Sequence, residues 1–372
     1  MRRSLSTAKR IVLKVGSSLL VDDDSGRLNR PWLEALIGEI AALTRRGQQV
    51  VIVSSGAIAL GREYLKFNSS QARLDQQQAA AAAGQIMLAH AYQELLGKHE
   101  LKVAQILLTL GDTEDRRRYL NARGTLATLL ERGVIPVINE NDSVATDEIR
   151  YGDNDRLAAR VAEMCSADCL VLLSDVNGLF DSDPTQNPDA RLIPEVKRIT
   201  PEIEAYASQS KTAFGTGGMI TKIAAAKICL PAGCATVIAS GHRPDALAAI
   251  ENGSPCTWFL PSTTPKAARK RWIAGALKPR GEIFIDAGAE KSLVAGNSLL
   301  PVGIIASMGN FERGDAVVIK NHEGHDLARG LVAYSSNDVK KIMGCQSEDT
   351  ESILGYRNRD EVIHRDNLVL LD

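Results

Sequence analysis

Six short apolar runs constrain the fold of this 372-residue chain more than any other feature: RIVLKVG (10–16), QQVVIVSSG (48–56), KVAQILLT (102–109), GVIPVINEND (133–142), DCLVLLSDVNG (168–178) and CATVIASG (234–241). Most are unbroken stretches of branched aliphatic residues, which suits strands buried on both faces. Between them lie alanine- and leucine-rich stretches of helical period, predicted as helices near 31–46, 71–97, 121–132, 154–165 and 219–231. The QQQAAAAAGQ stretch (76–85) reads as part of a tightly packed helix. Strands alternating with helices predict an α/β fold: a three-layer αβα sandwich with a mainly parallel sheet. Several strands end in Gly, Ser, Asn or Asp, and ligands of open α/β sheets bind at the carboxyl ends of the strands.

The texture changes after residue 261. PSTTPKAARKRWIAGALKPRG (261–281) holds three prolines and six basic residues without an acid, and reads as a basic linker over 262–280. Residues 281–372 carry short alternating runs, EIFIDAG, AVVIKN and LARGLVAYS, between glycine turns, which predicts a small C-terminal β-barrel. That segment has 15 acidic and 9 basic residues, a poor balance for a phosphate backbone. The whole chain has a formal net charge of −1, so no global field attracts nucleic acid or an anionic membrane. Neither a signal peptide nor a membrane span is expected, and the expected location is the cytoplasm. Six cysteines without a CxxC pair are read as reduced core thiols.

Four constellations could carry chemistry. LKVGSS (13–18) puts Lys14 near a strand end before a glycine turn, which suits an anion, although a snorkelling lysine fits equally well. VIVSSGAIALG (51–61) offers Ser54, Ser55 and Gly56 at a helix start, either an anion site or an ordinary cap. FGTGGMITK (214–222) matches neither the Walker pattern nor a dinucleotide fingerprint, yet its glycines precede a helix bringing Lys222 near its first turn; the other reading is a flexible loop. INENDSVATDEIRYGDND (138–155) gathers Asn139, Asn141, Asp142, Asp153, Asn154 and Asp155 around a strand end. So many acids need cations: a metal, a substrate ammonium or, on the plainer reading, solvent. HEGH (322–325) looks like a metal-binding pair but falls in a turn of the barrel segment and is read as a chance pairing, so no metal ligand is assigned.

Taken in order, KVGSS, VIVSSGAIALG, LLTLGDTEDRRRYLNAR, PVINENDSVATDEIRYGDND, LLSDVNGLFDSDP and GTGGMITK resemble the amino acid kinase family over about residues 8–260, and specifically its branch acting on glutamate. LLPVGIIASMGNFERGDAVVI followed by ARGLVAYSS resembles a PUA domain. The domains implied are a kinase domain at 1–261, the linker, and a PUA-like domain at 281–372. The resemblance implies ATP-dependent phosphorylation of the γ-carboxylate of glutamate, opening the route to proline, with Mg²⁺ on the nucleotide. It implies that Lys14 and Lys222 flank the transferring phosphoryl group, and that Ser55, Asp142 and Asn154 hold glutamate. Ser174 and Asp175 would border the nucleotide, with Gly215, Thr216, Gly217, Gly218 and Met219 forming its loop. The family often has threonine where Ser174 stands; both keep a hydroxyl. Also implied are feedback inhibition by proline, with Asp147 and Glu148 among the residues to probe, a homo-oligomer (dimer or tetramer), and channelling to glutamyl phosphate reductase. RNA binding by the PUA-like domain and association with membranes are not expected. Two rivals are an RNA-binding protein acting through its barrel and a silent amino-acid sensor; the barrel's charge opposes the first, and Lys14, Asp142 and Lys222 oppose the second.

Overall fold

The computed structural model describes residues 4–22, 25–67, 73–144, 154–209, 218–276, 278–356 and 359–371. The chain divides into two compact units, Met1–Pro265 and Lys266–Asp372.

The first unit is built on an eight-stranded sheet. Its strands are β1 (Arg10–Val15), β2 (Gln49–Ser54), β3 (Lys102–Leu108), β4 (Val134–Glu140), β5 (Cys169–Ser174), β6 (Glu195–Val196), β7 (Ala235–Ser240) and β8 (Cys256–Phe259), in the order β3-β4-β2-β1-β5-β7-β8-β6. All neighbours pair in parallel except β7 and β8. The six apolar runs are β1 to β5 and β7; β6 and β8 are too short to stand out in the sequence.

Successive side chains of a strand face opposite ways. Ile11, Leu13 and Val15 accordingly enter one core cluster and Val12 the other, and β2 divides Ile52 from Val51 and Val53 in the same manner. Helices close both cores, which makes the three layers. Arg30–Arg45 and Leu74–Gly97 contribute to the first cluster, Asn154–Met164 and Met219–Cys229 to the second. The helix expected from 121 begins earlier, at Arg116, because Asp115 caps it by accepting from the Arg118 N–H.

The alanine-rich stretch lies within the helix Leu74–Gly97, which crosses the helix Ala57–Tyr64 backbone to backbone. A Cβ at Gly84 would lie 1.8 Å from the Ala57 carbonyl oxygen, and one at Gly61 equally close to that of Ala80. Only glycine permits this approach. Five cysteines are buried, Cys345 is partly exposed, and none is bridged.

The second unit has a five-stranded sheet of β9 (Gly281–Ile285), β10 (Ile304–Gly309), β11 (Ala316–Lys320), β12 (Asp326–Leu331) and β13 (Leu368–Leu370), ordered β10-β9-β11-β12-β13. Its own core includes Ile283, Ile285, Val317, Ile319, Val339 and Ile342. The basic stretch is helical over Pro265–Arg271 and continues as a π-helical turn, Trp272–Ala276. Arg269 donates to the Asp366 carbonyl and to Asn367 Oδ1, and Ile273 is buried with Ala316 and Leu331. His322 and His325 stand on an exposed turn beside Glu323, held by Asn321 Oδ1 accepting from two backbone N–H groups.

Candidate active site

In the sheet order, β1 lies between β2 and β5, so the chain crosses from one side of β1 to the other. Such a reversal parts the connections leaving neighbouring strands and opens a crevice at their carboxyl ends. Lys14, one residue from the end of β1, is in register with Val53 of β2 and Leu172 of β5. It lies on the same side of the sheet as Val12, the side covered by Asn154–Met164 and Met219–Cys229.

Those two helices complete an ion triad. Asp155, with no exposed surface, takes the Lys14 ammonium at 2.8 Å on Oδ1 and the Lys222 ammonium at 3.2 Å on Oδ2. Thr221 Oγ1 donates to Oδ2 at 2.8 Å. Burial alone would raise the Asp155 carboxyl, but Lys14 and Lys222 outweigh it and hold it below the usual range. Burial lowers Lys222, and Lys14 adds to that, while Asp155 opposes both; the net shift is downward. Two ammonium groups on one buried carboxylate leave a surplus of positive charge only partly offset by Asp175, and in such surroundings an anion is bound more strongly than in water.

The residue next to Asp155 starts a second network. Asn154 Nδ2 donates to the Ser54 carbonyl (3.0 Å), to Ser55 Oγ (2.9 Å) and to Asn139 Oδ1 (3.1 Å). Asn139 donates onward to Gln85 Oε1 at 2.7 Å. Behind them the Ser54 hydroxyl pairs with Tyr92 OH at 3.0 Å. Asp142 lies on the short 3₁₀ turn after β4 and has no hydrogen bond or ion pair among the described residues. Desolvation pushes its carboxyl up to about 6.

At the end of β5 the buried Ser174 hydroxyl donates to Asp175 Oδ1 at 2.8 Å. Gly218 caps and Met219 opens the helix that carries Lys222. Ser55 and Asn154 therefore meet directly, and Lys14 and Lys222 meet through Asp155. Gly215, Thr216, Gly217, Asp147, Glu148 and Asp153 lie outside the described residues.

Asp155 was visible in the acidic stretch, but its part in joining the lysines was not. A signal existed: Asp155, Ala158, Ala159 and Ala162 stand at i, i+3, i+4 and i+7, and all four are fully buried. An acid on the apolar stripe of a helix needs a buried cation. Gln85 had no comparable signal, since it closes an alanine-rich stretch.

The amino acid kinase family model matches residues 9–240 and the PUA domain model residues 281–354. A glutamate 5-kinase of Paramagnetospirillum magneticum is 58% identical over 98% of this chain and 99% of its own length. One from Rhodospirillum rubrum is 55% identical over 96% of each chain. Among solved structures, carbamate kinase from Giardia lamblia bound to AMP-PNP superposes with a TM-score of 0.50 at 20% identity, covering 69% of this chain and all of that one; this likeness concerns the fold alone. Among the described residues no helix is long and apolar enough to cross a membrane. With near-complete coverage on both sides and a second domain of the matching kind, the chain belongs to the amino acid kinase family, in its glutamate 5-kinase branch with a C-terminal PUA domain.

Proposed function

We propose that the protein is a glutamate 5-kinase: it transfers the γ-phosphoryl group of ATP to the side-chain carboxylate of L-glutamate, giving L-glutamyl 5-phosphate, the first step towards proline. The observation that carries this reading is the pairing of Lys14 and Lys222 on one buried carboxylate, Asp155, at the carboxyl edge of the sheet. A γ-carboxylate oxygen forms a bond to the γ-phosphorus as the bond to the β,γ-bridging oxygen breaks, and ADP departs with the electron pair. The carboxylate is already ionised at neutral pH, so no general base is required. What is required is alignment and neutralisation of charge, and the two ammonium groups supply the latter.

Ser55 and Asn154 hold the amino-acid end, and Asp142 takes its ammonium. Ser174, Asp175, Gly218 and Met219 border the nucleotide together with Gly215, Thr216 and Gly217. Among the described residues no three His, Cys, Asp or Glu side chains cluster as a metal cage. Mg²⁺ is taken to ride on the nucleotide's phosphates, the habit of an ion that sheds its waters reluctantly, where it would add charge neutralisation. Proline as feedback inhibitor, a dimer or tetramer, hand-over of the product to glutamyl phosphate reductase, and a cytoplasmic address belong to the same proposal; the unbridged, buried thiols suit a reducing compartment. The kinase and PUA-like parts are taken as 1–261 and 281–372.

The test is ATP consumption by the purified full chain with L-glutamate and hydroxylamine, which traps an acyl phosphate as the hydroxamate. Glutamate-dependent hydroxamate is the expected result; its absence from folded protein sinks the proposal.

A further inference from the structure

The hydrogen-bonded amides running from Ser54 to Gln85 have a direction, and the backbone sets it. The Ser54 carbonyl can only accept, so the atom of Asn154 lying 3.0 Å from it is nitrogen. The Glu140 N–H can only donate, so the atom of Asn139 lying 2.9 Å from it is oxygen. That same oxygen accepts from Asn154, which leaves Asn139 Nδ2 to face Gln85 Oε1. Turning either asparagine would set like atoms against each other. The remaining atom of Gln85 is therefore a donor, Nε2, and the remaining atom of Asn154 is an acceptor, Oδ1.

Gln85 is 9% exposed and Asn154 7%. Neither Gln85 Nε2 nor Asn154 Oδ1 has a hydrogen-bond partner among the described residues. Buried polar atoms without partners are costly, and these two stand at the two ends of one relay. A spare donor and a spare acceptor on one relay call for a ligand bearing an acceptor beside a donor. The desolvated Asp142 adds an anionic acceptor, and its turn, Asp142–Val144, packs against the helix that carries Gln85. An α-amino acid head group offers a carboxylate and an ammonium on one carbon.

Resting on the reading above, we infer that Gln85 is the residue that recognises the α-carboxylate of the substrate. Its Nε2–H donates to a carboxylate oxygen, while Asn154 Oδ1 and Asp142 take the ammonium. Lys14 and Lys222 are held on Asp155, where the phosphoryl group transfers, so a neutral amide serves the other end.

The experiment compares L-glutamate with L-isoglutamine, which keeps the ammonium and γ-carboxylate but carries an α-carboxamide. The full chain is assayed as wild type, Gln85→Met and Gln85→Glu. Loss of one hydrogen bond to a charged group predicts that Gln85→Met raises KM for glutamate about 10- to 100-fold. KM for ATP stays within about twofold, and the kcat/KM preference for glutamate over isoglutamine falls, by less than KM rises because the carboxamide oxygen also accepts from Gln85. Gln85→Glu lowers that preference further, because its carboxylate repels the α-carboxylate and accepts from the carboxamide. Should Gln85→Glu fail to fold, Gln85→Met decides, since it keeps the volume and removes the donor. An unchanged preference in the folded variant, with both substrates weakened alike, would show that Gln85 merely supports Asn139 and would overturn the inference. Failure of the wild type to phosphorylate glutamate would instead remove the reading on which it rests.

Discussion

Lys222 lies 3.2 Å from Asp155 with both side chains nearly cut off from solvent, and this contact preserves an ammonium that burial works against. With Lys222 in its proposed role, charge held at that point matters most while it builds on the transferring phosphoryl group. Lys222→Ala should therefore lower kcat by about 10²–10³ and change KM for glutamate little, by analogy with removing one oxyanion donor. Steady-state kinetics with glutamate varied at saturating ATP will show it; an unaltered kcat takes Lys222 out of the mechanism.

Asp155→Asn keeps the shape of the triad and removes its only anion. Two ammonium groups then face each other in a buried site, and breaking a buried pair in this way costs about 3–5 kcal/mol. The melting temperature should fall by several degrees. Without the carboxylate, burial and Lys14 lower Lys222 with only Asp175 left to oppose them, so the alkaline limb of kcat should move to lower pH than in the wild type. A pH–rate profile in which the two limbs coincide would contradict this.

Asp142 should be visible in the acid limb. Desolvation pushes its carboxyl up to about 6 from the usual 3.8, so below about pH 6 it is neutral and would not pair with the substrate ammonium proposed for it. The kcat/KM for glutamate should fall as pH drops through about 6, and Asp142→Asn should abolish that limb while raising KM for glutamate. The sign for stability is the reverse. A raised acid pKa stabilises the unliganded fold at low pH, and that contribution is lost between about pH 4 and 6. N-acetylglutamate, which has no ammonium, should be poorer than glutamate by roughly 10³ in kcat/KM. If it is as good a substrate as glutamate, Asp142 does something else.

Gly84→Ala places a methyl group where the Ala57 carbonyl oxygen already is. The two helices must separate, at a cost on the order of 1–3 kcal/mol or more. Because Gln85 adjoins one side of the crossing and Ser55 precedes the other, KM for glutamate should rise along with the loss of stability. Thermal melts and kinetics on the same preparation test the pair; a variant as stable and active as the wild type would mean the crossing is looser than described.

A chain ending at Pro265 should retain glutamate phosphorylation, since every residue proposed for the chemistry lies before that point and the first unit has its own two cores. Hydroxamate formation by the soluble truncation is the measurement. Complete inactivity in a folded truncation would assign part of the catalytic competence to the second unit.

The strands were legible because β1, β2, β4, β5 and β7 are apolar on both faces and the edge strand β3 is a short aliphatic run, and their carboxyl ends carry Gly16, Ser54, Asn139 and Ser174 in plain sight. β8 was not: Cys256–Phe259 is four residues long and pairs antiparallel with β7, outside the pattern of the others. Ser55 and Asn154 could be proposed from resemblance and position, yet the bond between them joins residues 99 positions apart. Gln85 illustrates the limit: its meaning comes from which atom of Asn139 faces it, and that follows from the Glu140 N–H. Such direction is a property of three-dimensional bonding and leaves no trace in residue spacing.

The sequestered cysteines have a practical consequence. Burial lifts the Cys165 thiol to about 11 and raises Cys234 as well, so at neutral pH these sulfurs are almost entirely uncharged and hidden from reagents. Alkylation of the first unit's five thiols must wait for the fold to open, whereas Cys345 in the second unit is partly accessible throughout. The chain thus carries its own clock for breathing motions: the rate at which the five slow sites react reports how often the kinase core comes apart, and the sixth reports the intrinsic speed of the reagent.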